Sequence, residues 1–168
     1  MSFKIISNNT HLSEGETMHE LIIKDRNKHL PLPALSAPKN NDKLTEQFPL
    51  KILIVEDNQL NQKLAVSLLA RIGYKAEVVD NGLMAYERAK REAFDIIFMD
   101  IQMPELDGID ATRAILQDNT SVKAPRIIAL TSNVMQGDRE RCLQSGMVDY
   151  LTKPVRIHEI QEMLEKWR

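Results

Sequence analysis

From Leu50 onward the chain alternates short apolar runs with longer segments whose apolar residues recur every three or four positions, and it does so five times. The runs are Ile52 to Val55, Ala76 to Val79, Ile96 to Met99, Ile127 to Leu130 and the weaker Val148 to Leu151. Nearly continuous apolar strands are those covered on both faces, so the pattern predicts an α/β domain with a parallel sheet between helices. The first helical segment sets Leu60, Leu64, Leu68 and Ile72 at four-residue steps with Ala65 and Leu69 beside them, which predicts one buried stripe ended by Gly73. In the last helix Ile157, Ile160, Met163, Leu164 and Trp167 share a face, so Trp167 is read as a packing residue.

Residues 1–49 differ in kind. Ser7-Asn8-Asn9-Thr10, Leu30-Pro31-Leu32-Pro33 and Lys39-Asn40-Asn41-Asp42 read as leader and linker, partly ordered at most. The apolar pieces Phe3-Lys4-Ile5-Ile6 and Leu21-Ile22-Ile23 are too sparse to close a core. One folded domain is therefore expected, over 50–168. The 168 residues carry 22 basic and 24 acidic side chains, a formal charge of -2, which gives no electrostatic footprint for nucleic acid or an anionic membrane. The single Cys142 cannot form an internal disulfide; it reads as a small core residue and fits a reducing compartment. No apolar run approaches the roughly 18 residues of a membrane helix, and no charged start precedes an apolar block, so a cytoplasmic location is expected.

The chemistry lies at the strand ends. Phe94-Asp95-Ile96-Ile97-Phe98-Met99-Asp100 drives an apolar strand into an aspartate, and Ile101-Gln102-Met103-Pro104 then breaks it. Other strands run into Glu56-Asp57, Thr131 and Lys153. In open parallel sheets ligands sit beyond the carboxyl ends of the strands. An acidic pair, a nucleophilic carboxylate, a hydroxyl and a cation there are the parts of a metal-binding, phosphoryl-accepting site. Singly, each has a plainer explanation: Asp57-Asn58 and Thr131-Ser132 as helix caps, Asp100 as a turn former, Lys153 as a solvated loop residue. Their joint order carries the argument. No G-x-x-x-x-G-K-[ST] or G-x-G-x-x-G run supports a nucleotide site. A hydrolase of the haloacid-dehalogenase kind would want an acid two residues after Asp100, where this chain has Gln102. His11, His29 and His158 show no ligand spacing.

The segments Leu53-Ile54-Val55-Glu56-Asp57-Asn58-Gln59-Leu60-Asn61-Gln62, Met99-Asp100-Ile101-Gln102-Met103-Pro104-Glu105-Leu106-Asp107-Gly108, Ala129-Leu130-Thr131-Ser132 and Asp149-Tyr150-Leu151-Thr152-Lys153-Pro154 resemble the receiver domain of two-component response regulators. The resemblance implies a flavodoxin-like doubly wound (βα)5 fold with sheet order 2-1-3-4-5 and helices on both faces. It implies one Mg²⁺ held by Asp57 directly, by Glu56 mostly through water, by Asp100 and by the main-chain carbonyl of Gln102. Asp100 becomes the phosphoacceptor, taking its phosphoryl group from a phosphohistidine on a histidine kinase or histidine phosphotransfer domain. Lys153 offsets the charge and Thr131 donates a hydrogen bond to the product.

Tyr150 is either the family's switch aromatic or a half-buried strand tyrosine. Lys153-Pro154 resembles the family's cis bond. Gly108 and Met103-Pro104 read as structural parts of the loop after Asp100, Ser132 as small enough to leave the site open, and Gln102 and Asn133 as flanking positions that influence phosphoryl loss. Output is expected through the face of the fourth helix, fifth strand and fifth helix, onto another protein. The start of the domain and the Pro-rich leader resemble a receiver cut from behind a sensor histidine kinase, and a hybrid-kinase parent is expected, with its kinase domain absent here. Met18-His19-Glu20-Leu21 lacks the Arg-Thr-Pro of a kinase histidine box, so His19 reads as solvated. The rival is a receiver-like module that binds partners without being phosphorylated; intact Asp57, Asp100, Thr131 and Lys153 weigh against it.

Overall fold

The structure, a computed structural model, describes residues 48–118, 124–132 and 136–168. The expectations for the leader, and for His11, His19, His29 and Asn133, lie outside those residues. The described chain alternates β1 (Ile52–Val55), α1 (Gln59–Arg71), β2 (Ala76–Val79), α2 (Gly82–Arg91), β3 (Ile96–Asp100), α3 (Gly108–Gln117), β4 (Arg126–Thr131), α4 (Gln136–Gln144), β5 (Asp149–Thr152) and α5 (Ile157–Trp167). β1 and β2 coincide with the apolar runs. β3 takes in Asp100 as well, β4 gains a residue at each end, and β5 is displaced by one residue toward Lys153.

All four strand pairings are parallel and the sheet order is β2-β1-β3-β4-β5. Alternate side chains of each strand go to opposite faces. Leu53, Val55, Ile97, Met99, Ile127 and Ala129 join Ala85 of α2, Ile109 and Ile115 of α3 and Cys142 of α4 in one core. Ile52, Ile54, Ile96, Phe98, Ile128 and Leu130 join Leu68 and Leu69 of α1 and Ile160 and Leu164 of α5 in the other. Two cores explain why the strands have so few polar positions. Each fully enclosed Ile or Leu contributes about 1.5–3 kcal/mol by leaving water.

The stripe expected on α1 is only half right. Ala65, Leu68, Leu69 and Ile72 are buried, but Leu60 is 75% exposed and Leu64 38% exposed. Four-residue steps advance 400° around a helix of 3.6 residues per turn, so the line of leucines drifts off the core as it is followed back. On α5 the expectation holds: Ile160 and Leu164 are buried, with Ile157, Met163 and Trp167 packed against the same core. The Trp167 indole N–H also donates to Asp149 Oδ2 at 3.1 Å, beside Lys166 Nζ at 2.7 Å, tying the last turn to the start of β5.

At the strands' amino-terminal edge, the Tyr74 hydroxyl donates to the Phe48 carbonyl at 3.1 Å and the Arg168 guanidinium lies 4.2 Å from the Phe48 ring centre. Among the described residues no helix is long and apolar enough to cross a membrane.

Candidate functional site

β1 ends by delivering Glu56 and Asp57 to the carboxyl edge of the sheet, next to β3 in a parallel register that pairs Val55 with Met99. Order reverses between these two strands, so their ends diverge into a crevice. The cap of α1 is Asn58, whose side-chain oxygen accepts from the N–H groups of Leu60 at 2.9 Å and Asn61 at 3.2 Å. Asp57 is thereby left out of capping and stands exposed at the rim. Glu56 and Asp100 are 1% and 2% exposed. One carboxylate oxygen from each of Glu56, Asp57 and Asp100 lies within 4.8 Å of the others, a grouping of the kind that could hold a metal ion.

Lys153 crosses this group. Its Nζ donates to Asp100 Oδ2 at 2.7 Å and to Glu56 Oε2 at 2.8 Å, while its main-chain N–H donates to the Thr131 carbonyl at 2.7 Å. The last residue of β4 thus positions the lysine, and Thr131 itself is buried at the same edge. The Gln102 N–H donates to Asp100 Oδ1 at 3.1 Å. Lys153-Pro154 is cis.

Burial pushes the Asp100 carboxyl above the ordinary carboxylate range, outweighing its hydrogen bonds from Lys153 and Gln102. Burial acts to lower the Lys153 ammonium, but its bonds to Asp100 and Glu56 outweigh that and hold it above the usual lysine value. Asp57 brings a third carboxylate to within 4.8 Å of Glu56 and Asp100, so three carboxylates face one ammonium. Any added positive charge is favoured there. Hard oxygen donors with excess negative charge fit a small dication such as Mg²⁺, which takes carboxylates and keeps several waters.

Two neighbours of the site carried no assigned role in the sequence. The Asn61 amide donates to Glu56 Oε1 at 2.9 Å, and the Gln62 amide donates to the Glu56 carbonyl and to Asp80 Oδ1, both at 2.7 Å. Their signal was positional: once Asn58 is taken as the cap, the first turn of α1 lies over the acids that precede it.

Gly108 has a sharper reason than ending a turn. A Cβ there would stand 2.0 Å from the Asp100 carbonyl oxygen, so α3 starts hard against the backbone of the candidate nucleophile. Tyr150 is half-buried, packs beside the core of the α2, α3 and α4 face, and has the Arg139 guanidinium 5.7 Å from its ring centre. Ser132 is exposed after β4, and His158 is exposed on α5.

The response regulator receiver domain profile matches residues 52–165. "Histidine protein kinase 1" of Candida albicans is 41% identical over 144 residues, covering 80% of this chain and 6% of that protein. "Sensor histidine kinase GacS" of Pseudomonas protegens is 39% identical over 140 residues, covering 82% of this chain and 15% of that protein. The chain therefore spans a small part of these relatives' length. Among solved structures, the receiver domain of sensor histidine kinase PA1611 from Pseudomonas aeruginosa, with magnesium coordinated in its active site cleft, is 46% identical with a TM-score of 0.64, covering 70% of this chain and 96% of that one. A chain in the co-crystal structure of the Saccharomyces cerevisiae histidine phosphotransfer signaling protein Ypd1 and the receiver domain of its downstream response regulator Ssk1 is 35% identical with a TM-score of 0.65, covering 70% of this chain and 88% of that one. With the profile spanning both cores and every strand end described above, the chain belongs to the response regulator receiver domain family.

Proposed function

We propose that this domain accepts a phosphoryl group from a phosphohistidine onto Asp100 and, so charged, alters its surface for a partner protein in a phosphorelay. The observation that carries this reading is the Lys153 ammonium shared between Asp100 and Glu56, in a crevice where three carboxylates converge. Glu56, Asp57 and Asp100, with the Gln102 carbonyl, would hold Mg²⁺, which when bound supplies charge neutralisation for the incoming phosphoryl oxygens. The Asp100 oxygen attacks phosphorus, the P–N bond breaks with its electron pair on the departing imidazole, and an acyl phosphate remains. Lys153 turns its ammonium from the carboxylates to the new phosphoryl oxygens, and the Thr131 hydroxyl donates to them.

The phosphoryl group adds about -1.5 to -2 charge. Thr131 moves toward it, Tyr150 follows, and the face of α4, β5 and α5 changes for the downstream protein. The donor is a histidine kinase or histidine phosphotransfer domain, covering the exposed Leu60 and Leu64; Leu64 lines one crevice with Glu56, Lys153 and Pro154. The parent is a hybrid histidine kinase, working in the cytoplasm.

Acetyl phosphate with Mg²⁺ tests the reading. The wild type gains the mass of one phosphoryl group and Asp100→Asn does not, while Asp57→Ala loses Mg²⁺ affinity and labelling together. Unchanged labelling of Asp100→Asn refutes the assignment. A receiver-like module that works without phosphorylation would label in neither form and ignore beryllofluoride, the non-hydrolysed phosphoryl analogue.

A further inference from the structure

Glu56 is enclosed, and both of its carboxylate oxygens are engaged. Oε2 accepts from Lys153 Nζ at 2.8 Å, and Oε1 accepts from Asn61 Nδ2 at 2.9 Å and from the Asn58 N–H at 3.3 Å. The same ammonium also serves Asp100 at 2.7 Å. One cation is thus divided between two carboxylates, and a phosphoryl group on Asp100 adds a third and stronger claimant. When Lys153 turns to it, the Asn61 amide is the side-chain donor that stays on Glu56. A carboxylate left without such a donor inside the fold would rotate or draw the ammonium back.

We propose that Asn61 is a positioning residue for phosphoryl transfer: its amide holds the Glu56 carboxylate in place and thereby frees Lys153 to engage the phosphoryl group. The inference rests on the phosphoryl-accepting reading of Asp100. Its chemistry suits an amide. An ammonium at position 61 would cancel the negative charge a dication needs, and a carboxylate would repel Glu56; a neutral donor does neither. The amide's origin is fixed as well, because the Asn61 N–H is bound to the Asn58 cap at 3.2 Å. Gln62, from the next position, holds the Glu56 carbonyl at 2.7 Å, so the backbone and side chain of Glu56 are each held by a separate amide of α1.

Calorimetry on the full 168-residue chain tests this, with Mg²⁺ alone and then with beryllofluoride at saturating Mg²⁺. Asn61→Ala keeps the Mg²⁺ dissociation constant within about threefold, because Lys153 still holds Glu56 in that state, and weakens beryllofluoride about tenfold or more, the scale of losing a supporting hydrogen bond behind a ligand. In a Glu56→Ala background the same substitution has no further effect, since a residue acting through another is not additive with it. Asn61→Leu, of similar size and uncharged but without the donor, reproduces the loss should alanine disturb the first turn of α1.

Wild-type beryllofluoride affinity in Asn61→Ala, or an equal loss with and without Glu56, overturns the proposal alone. A wild type that ignores beryllofluoride overturns the phosphoryl-accepting reading and this one with it.

Discussion

Lys153 Nζ stands 2.7 Å from Asp100 Oδ2, joining the loop after β5 to the end of β3. Under the proposed transfer to Asp100, removing the lysine leaves the nucleophile in place but takes away a charge-assisted bond to the product. Lys153→Ala is therefore expected to label with acetyl phosphate, more slowly, and to respond little to the label. Amide hydrogen exchange with and without beryllofluoride reads the response. Protection changes in α4 and β5 of the wild type that persist in the variant would disconnect Lys153 from the switch, and a wild type silent in those elements would remove this output face.

The exposed leucines of α1 separate two kinds of donor. Acetyl phosphate needs no protein surface, whereas a phosphohistidine domain does. Leu60→Ala should leave acetyl phosphate labelling unchanged and weaken a phosphohistidine protein by about 1–2 kcal/mol, roughly 5–30-fold in KM. Equal rates with both donors in wild type and variant would move the docking face elsewhere.

At position 108, packing opposes propensity. Alanine in a helix is ordinarily about 1 kcal/mol better than glycine, yet here its Cβ would stand 2.0 Å from the Asp100 carbonyl oxygen. Gly108→Ala is expected to lower stability by about 1–3 kcal/mol, the usual cost of overpacking, and to lower acetyl phosphate labelling by moving the Asp100 backbone. Urea unfolding gives the first quantity; a variant at least as stable as the wild type would show that α3 shifts freely.

Asp149 supplies a pH test away from the site. Burial acts to raise its carboxyl, but hydrogen bonds from Lys166, the Tyr150 N–H and Trp167 outweigh it and hold it below the usual aspartate value. A depressed carboxylate contributes stability that is present above its unfolded value and disappears as pH falls through the folded one. Asp149→Asn should cost about 1–2 kcal/mol at pH 7, with the gap to the wild type closing below pH ~3.9. A gap independent of pH would mean that the lost contacts are steric and not ionic.

Much of this was legible in the chain because parallel strands covered on both faces leave nearly unbroken apolar runs, and because Glu56, Asp100 and Thr131 follow such runs directly, with Asp57 and Lys153 one residue further on. What the sequence misplaced was rotational. A four-residue repeat on α1 suggested a stripe through Leu60 and Leu64, and only the packing of Ala65, Leu68 and Leu69 against β1 and β3 fixes which side faces inward. Asn61 and Gln62 escaped for a related reason: an amide pointing back over a helix start has the same sequence signature as one in water. The need for Gly108 was equally hidden, since it depends on how closely α3 approaches β3.

The contact of Phe48 with Tyr74 and Arg168 puts the entry of the domain at the edge of the sheet opposite its carboxylates. The first described residue of the domain therefore stands the length of β1 (Ile52–Val55) away from the crevice of Glu56, Asp57 and Asp100.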